Sequence, residues 1–192
     1  MGLISQWGFH SFECKPVDFS TDKIAMRMCC LGWIFLMTKY IEFADTIFFV
    51  LRKKQSQITT LHVVHHSVVP ISVWIGLKYY CGGGNTLFPF LNTGVHCIMY
   101  LYYGLSALGP QVQKYLWWKK YLTTLQLTQF ALVMVLGLRV LISGCAFPKS
   151  FLFLNLFHAV LFFYMFASFY RNSYNKKTAS NYNNNSTKMK MS

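Results

Sequence analysis

Five long apolar runs dominate this chain, and they restrict it to a helical bundle within a lipid bilayer. They cover about residues 24–51, 60–80, 87–108, 121–142 and 150–170. A helix needs roughly 20 predominantly apolar residues to cross the hydrocarbon core, a length each run reaches. In lipid every backbone N–H and C=O has to be paired internally, and a helix does this within one segment. Arg52-Lys53-Lys54, Gly82-Gly83-Gly84, Gly109-Pro110 and Ser143-Gly144 with Pro148 separate the runs. Only 12% of the 192 residues are charged, about half the share usual in a soluble domain. The sequence therefore predicts an all-α, polytopic membrane bundle with five transmembrane helices. Residues 1–23 read as a lead-in segment, 24–170 as the transmembrane domain, and 171–192 as a disordered tail rich in Asn, Lys and Ser. No cleavable signal peptide is expected, because residues 1–10 lack a basic start and a long apolar core.

Charge sets the orientation. Arg52–Lys54, Lys114–Lys120 and the tail from Arg171 fall on one side and hold eleven cations, whereas the opposite loops hold only Lys149. The positive-inside rule makes the first side cytosolic, with residues 1–23 lumenal and the C-terminus cytosolic. Lys188 and Lys190 then stand third and fifth from the end of a cytosolic tail, the arrangement of a dilysine retrieval signal for the endoplasmic reticulum. Cys14 and Cys145 both fall in lumenal loops, where a disulfide is permitted; two unrelated thiols fit the spacing equally. The six cysteines match neither a zinc pattern nor a small disulfide scaffold.

The net charge of +13 arises from 18 Lys and Arg against five acids, Glu13, Asp18, Asp22, Glu42 and Asp45. The cations flank apolar spans, which points to topology and a polyanionic substrate rather than to nucleic acid. With no carboxylate side chain after Asp45, chemistry based on paired carboxylates is largely excluded, and histidine remains. His62, His65 and His66 lie within about 100° of one another on a helix. Three imidazoles on one face of a membrane helix have to face the bundle interior, where function is the default reading. Lys39 and Glu42, three residues apart, can pair within the first run. Asp45 lies at the depth of the histidines and can accept an imidazole N–H; an ion pair that merely orients the bundle is the plainer reading.

Asn92, His96, Met99, Tyr100 and Tyr103 share one face of the third run. The tyrosines could donate to a carbonyl oxygen or sit in an aromatic belt. Thr123, Gln126 and Gln129 open the fourth run at spacings of three, and such amides either bind a polar ligand or join helices. His158, alone among Phe and Leu, reads as structural, and Cys97 lacks the setting of an activated thiolate. One histidine box plus His96, with no later acid, falls short of a di-iron set, so no metal is expected. Imidazole without metal acts as nucleophile or general base, and acyl transfer from a thioester suits either.

Lys39-x-x-Glu42-x-x-Asp45-Thr46, His62-x-x-His65-His66, Asn92-x-x-x-His96-x-x-Met99-Tyr100-x-Tyr102-Tyr103 and Thr123-x-x-Gln126-x-x-Gln129 together resemble the four signature blocks of the ELO family of very-long-chain fatty acid elongases, in order and spacing. The resemblance implies a seven-helix bundle around an acyl tunnel. The implied reaction is condensation of a long-chain acyl-CoA with malonyl-CoA to 3-ketoacyl-CoA, CO2 and CoA, with no cofactor. It places His65 and His96 at the reacting acyl carbon, one as nucleophile through an acyl-imidazole, with Asp45, His62 and His66 orienting them. Lys39, Glu42, Asn92, Tyr100, Tyr103, Gln126 and Gln129 become substrate-binding candidates. Arg52, Lys53, Lys54, Lys119 and Lys120 become candidates for the CoA phosphates, although topology alone also accounts for them. A Cys14–Cys145 bridge fits the family's lumenal loops. Expected partners are the bilayer, the two CoA thioesters and other enzymes of the elongation cycle, with homo- or hetero-oligomers left open. Family members begin with two further helices before the segment equivalent to Ser11–Asp18, so a truncated member with one tunnel wall open is expected. The alternative is a non-catalytic elongase-derived membrane protein or a transporter, in which Lys39, Glu42 and Asp45 line a pathway; no inverted repeat supports it.

Overall fold

The computed structural model describes residues 17–53, 55–82, 86–144 and 148–175. Each apolar run is helical. The first is interrupted where one span was expected: α1 (Lys23–Ile41) and α2 (Phe43–Leu51) meet at Glu42. There the Asp45 N–H donates to the Glu42 carbonyl three residues back, at 3.2 Å, tightening a single turn. A short 3₁₀ turn, Gln55–Gln57, leads to α3 (Thr60–Tyr79). Then follow α4 (Leu87–Ala107), the single turn α5 (Pro110–Gln113), α6 (Lys119–Ile142) and α7 (Lys149–Tyr170). Among the described residues α3, α6 and α7 (with its extension to Tyr174) are long and apolar enough to cross a membrane on composition alone. The α1–α2 unit carries Lys23, Arg27 and Lys39, and α4 carries Asn92 and His96, so they do not.

Local signals explain the starts. Asp22 caps α1, its Oδ2 accepting the Ile24 N–H at 3.2 Å. Thr59 caps α3, its Oγ1 accepting the His62 N–H at 3.2 Å. Inside α3, Pro70 has no N–H to give the His66 carbonyl. The tail is not irregular from its first residue: Arg171–Asn175 form one π-helical turn, where Tyr170 and Tyr174 pack with ring centroids 5.0 Å apart.

The long helices contact one another in a ring. α1 packs on α3 and α4, α3 on α7, α7 on α6, and α6 on α4. Val69, Phe130 and Phe162 form a buried core between α3, α6 and α7. Tyr102, Leu116 and Leu122 form a second core at the turn between α4 and α6. The outer faces carry large apolar side chains such as Leu101, Val135 and Phe157, each more than 60% exposed. Faces of this kind are stable in lipid, not in water.

The tightest helix pair depends on one absent side chain. A Cβ at Gly137 of α6 would lie 2.7 Å from Leu156 Cδ2 and 3.2 Å from its Cγ on α7. Small residues allow such approach between membrane helices. Gly137→Val is expected to lower stability by about 1–3 kcal/mol, the usual cost of overpacking. Thermal unfolding in detergent checks this, and an unchanged midpoint would show that α6 and α7 separate freely.

Candidate active site

The site grows from a charge that no membrane helix can hold unpaired. Lys39, 2% exposed, sits near the end of α1. Its Nζ donates to Glu42 Oε1 at 2.6 Å and to Asn92 Oδ1 of α4 at 2.8 Å. Ion and amide compensate a desolvation of several kcal/mol. The pairing read from the sequence is present, and Asn92 completes it across helices.

Glu42 is also the carboxylate that faces imidazoles. His96 Nδ1 lies 3.1 Å from Glu42 Oε1, within ion-pair range, but it is misaligned and makes no hydrogen bond. His66 Nδ1 stands 4.0 Å from Glu42 Oε2. Asp45, expected to receive an imidazole N–H, accepts instead from the Tyr100 hydroxyl at 2.7 Å. The turn at Glu42 directs the two acids to different partners. Thr46 Oγ1 shares a hydrogen bond of 2.8 Å with His62 Nε2.

The α3 box and α4 bring their four histidines into one cluster. The His62 and His66 rings lie 4.3 Å apart, and those of His65 and His66 5.1 Å. His65 and His96 stack at 6.1 Å with 22° between their planes. His65 packs edge-on against Phe162 of α7 at 5.0 Å. Tyr100 lies between His96 and Tyr103. Tyr103, at 44% exposure, faces outward more than a buried donor would. Gln126 reaches α4 by donating to Met99 Sδ at 3.5 Å. Gln129 is buried, and its Nε2 has no partner among the described residues. Among the described residues no group of three or more His, Cys, Asp or Glu is disposed to hold a metal ion.

One cavity of about 80 Å³ starts at this cluster and runs between the helices. His65 and Asn92 line one part of it; Leu77, Cys81, Gly82 and Phe151 line another. Phe35, Val69, Val73, Phe130 and Phe162 make its wall apolar. Every member of the ring, α1, α3, α4, α6 and α7, contributes. Also in the wall are His158, which the sequence reads as structural, and Ser72 and Asn155, which no sequence pattern singles out. His158 has no histidine neighbour in sequence, and only the packing of α3 on α7 brings Ser72 to it.

The cations are not gathered into the site. Arg52, Lys53, Lys119 and Lys120 are exposed, at the end of α2 and the start of α6. Lys53 turns the chain after α2 with φ 53°. Lys54, Cys14, Cys145, Lys188 and Lys190 lie outside the described residues.

The ELO, GNS1/SUR4 family model matches residues 1–182. The chain belongs to this family. An Aedes aegypti very long chain fatty acid elongase is 49% identical over 173 residues, covering 89% of this chain and 48% of that protein. Rat very long chain fatty acid elongase 7 is 47% identical, covering 91% of this chain and 63% of its own length. Human very long chain fatty acid elongase 1 is 45% identical with the same coverages. This ELO-family chain therefore spans about half to under two thirds of the length of these relatives. It is a multi-pass helical membrane protein, and the motif blocks touch one another: Lys39, Glu42 and Asp45 meet Asn92, His96 and Tyr100, His65 stacks on His96, and Gln126 reaches Met99.

Proposed function

We propose that this chain condenses a long-chain acyl-CoA with malonyl-CoA, giving 3-ketoacyl-CoA, CO2 and CoA, the first step of very-long-chain fatty acid elongation. The observation that carries the reading is His65 in the wall of an apolar cavity, with His96 stacked beside it. An apolar slot accepts an acyl chain and leaves its thioester at the histidines. The imidazole of His65 or His96 attacks the thioester carbon, the C–S bond breaks, and CoA leaves as a thiol. Malonyl-CoA then loses CO2, and the carbanion left at its α-carbon attacks the acyl-imidazole. A C–C bond forms, the acyl C–N bond breaks, and the released imidazole takes up a proton from water in place of the one that left with CoA. Decarboxylation supplies the nucleophile, so neither a strong base nor a cofactor is required. Glu42 sets its carboxylate beside the His96 and His66 rings, where it stabilises an imidazole that becomes cationic during the reaction.

In this reading the chain resides in the endoplasmic reticulum with its C-terminus cytosolic and Lys188 and Lys190 as a retrieval signal. Arg52, Lys53, Lys119 and Lys120 then face the cytosolic CoA pool, where exposed cations attract the phosphates. The test is incubation of microsomes, from a host lacking its own elongases and expressing this chain, with acyl-CoA and labelled malonyl-CoA. A labelled 3-ketoacyl product one malonyl-derived unit longer is expected. Inserted, folded protein yielding only hydrolysed acyl-CoA would overturn the reading.

A further inference from the structure

The end of the cavity away from the histidines is built around two thiols. There the early turns of α1 pack on the last turn of α3. A Cβ at Gly32 of α1 would stand 2.8 Å from Leu77 Cδ1 and 3.7 Å from Cys81 Sγ. One at Gly82 would stand 4.0 Å from Met28 Cβ. Cys29 lies three residues before Gly32, on the same side of α1, and its thiol shares a hydrogen bond with that of Cys81. Both are free and part-buried, whereas Cys30 and Cys97 are exposed. Cys81 follows the last residue of α3, Tyr79, and precedes Gly82 at φ 99°. Its sulfur is carried by the connection, so it can approach Cys29 without opening the i→i−4 ladder of α3. A disulfide needs Cβ atoms about 3.5–4.5 Å apart, a short step for thiols already in contact. Gly32, Leu77, Cys81 and Gly82 all line the cavity. Leu77 is twelve residues beyond His65 on α3, about 18 Å along the axis, so this wall is remote from the imidazoles.

We infer that Cys29 and Cys81 form a reversible disulfide that ties the end of α3 to α1 and fixes the far wall of the cavity. The effect on substrate rests on the reading that the cavity holds an acyl chain; the bridge itself does not. The oxidant is a small disulfide such as glutathione disulfide. The thiolate of one cysteine attacks it, releasing one glutathione and leaving a mixed disulfide. The second cysteine's thiolate attacks the protein sulfur of that bond, the Cys29–Cys81 bond forms, and the second glutathione leaves. Two electrons pass to the oxidant, and the two thiol protons end on glutathione. Oxidised, the connection after α3 is pinned; reduced, it can yield to a longer chain.

The test uses the full chain in detergent with Cys30→Ser and Cys97→Ser, so that tryptic peptides 28–39 and 79–114 carry one cysteine each. After glutathione disulfide and blocking of free thiols, mass spectrometry is expected to find these peptides linked. Reduced glutathione should separate them, and re-oxidation should restore the link. Recovery of both cysteines blocked, glutathione retained on either one, or a link that survives reduced glutathione would each overturn the inference. Photoreactive acyl-CoAs of increasing length then label each form. The oxidised form is expected to lose about fourfold in labelling per methylene beyond the length it admits, the worth of one buried CH₂. With Cys29→Ala added, both buffers should give one length profile; because profiles are compared within each variant, folding yield cancels. Equal profiles in the two forms of the parent, or a redox-dependent profile that persists in Cys29→Ala, would overturn the assigned effect on the wall. If neither form takes label, the acyl-cavity reading falls, while the linked peptides still report the bridge.

Discussion

Replacing His65 with alanine is expected to slow malonyl-CoA-dependent condensation by roughly 10²–10⁴-fold, the usual span for removing a positioned acid–base or nucleophilic group. Protein level and helicity should change little, because the ring sits in the cavity wall rather than in the Lys39–Glu42 pair. His62→Ala provides the internal contrast. Its ring contacts Thr46 and Phe49 and does not line the cavity, so a smaller loss is expected. Initial rates from microsomes normalised to inserted protein measure both. Retention of more than about a tenth of the rate in His65→Ala would remove that residue from the chemistry.

The second large effect concerns folding. Lys39→Met leaves Glu42, 5% exposed, inside the bundle without its ammonium partner. Breaking one side of a buried pair costs about 3–5 kcal/mol, a large share of the stability of a domain this size. Lys39→Met is therefore expected to aggregate or to elute as a polydisperse species on size exclusion in mild detergent. The double variant Lys39→Met with Glu42→Met is expected to recover a monodisperse peak, since an apolar pair of similar volume is often neutral or better. It should remain inactive, because His96 and His66 lose the carboxylate beside them. A single variant with wild-type thermal behaviour would show that the pair is not carrying the bundle. The difference between double and single changes measures their coupling.

Much of the fold was legible because lipid leaves few options. Apolar length predicts helices, and Gly, Pro and Lys clusters mark their ends, so the runs at 60–80, 87–108 and 121–142 coincide with α3, α4 and α6 within a residue or two. The site was legible where motif residues share a helical face: Asn92, His96 and Tyr100 do reach Lys39, Glu42 and Asp45 respectively. What escaped depends on packing between helices. Periodicity does not show the turn at Glu42, and an unbroken helix assigns Asp45 to the imidazoles. The spacing of Gln126 and Gln129 does not reveal that one donates to a thioether while the other stays unpartnered. The contact of His158 with Ser72, 86 residues away in sequence, is likewise visible only in the packed helices. The five positions of the π-helical turn were read from composition, which takes no account of Tyr174 packing on Tyr170.

The division between three strongly apolar helices and two polar ones bears on how the chain enters the membrane. Helices α3, α6 and α7 can leave the translocation channel for lipid on their own partition energies. A lysine on a lone helix opposes that step by about 2.5–3.5 kcal/mol at the helix centre and by less towards an end, where Lys39 stands. For α1 the opposition is removed when Lys39 meets Glu42 and then Asn92 of α4, a segment emitted some fifty residues later. α1 thus gains full solvation only after α4 has arrived. Burial of the Lys39 charge and assembly of the α1–α4 contact beside the histidines thus happen together.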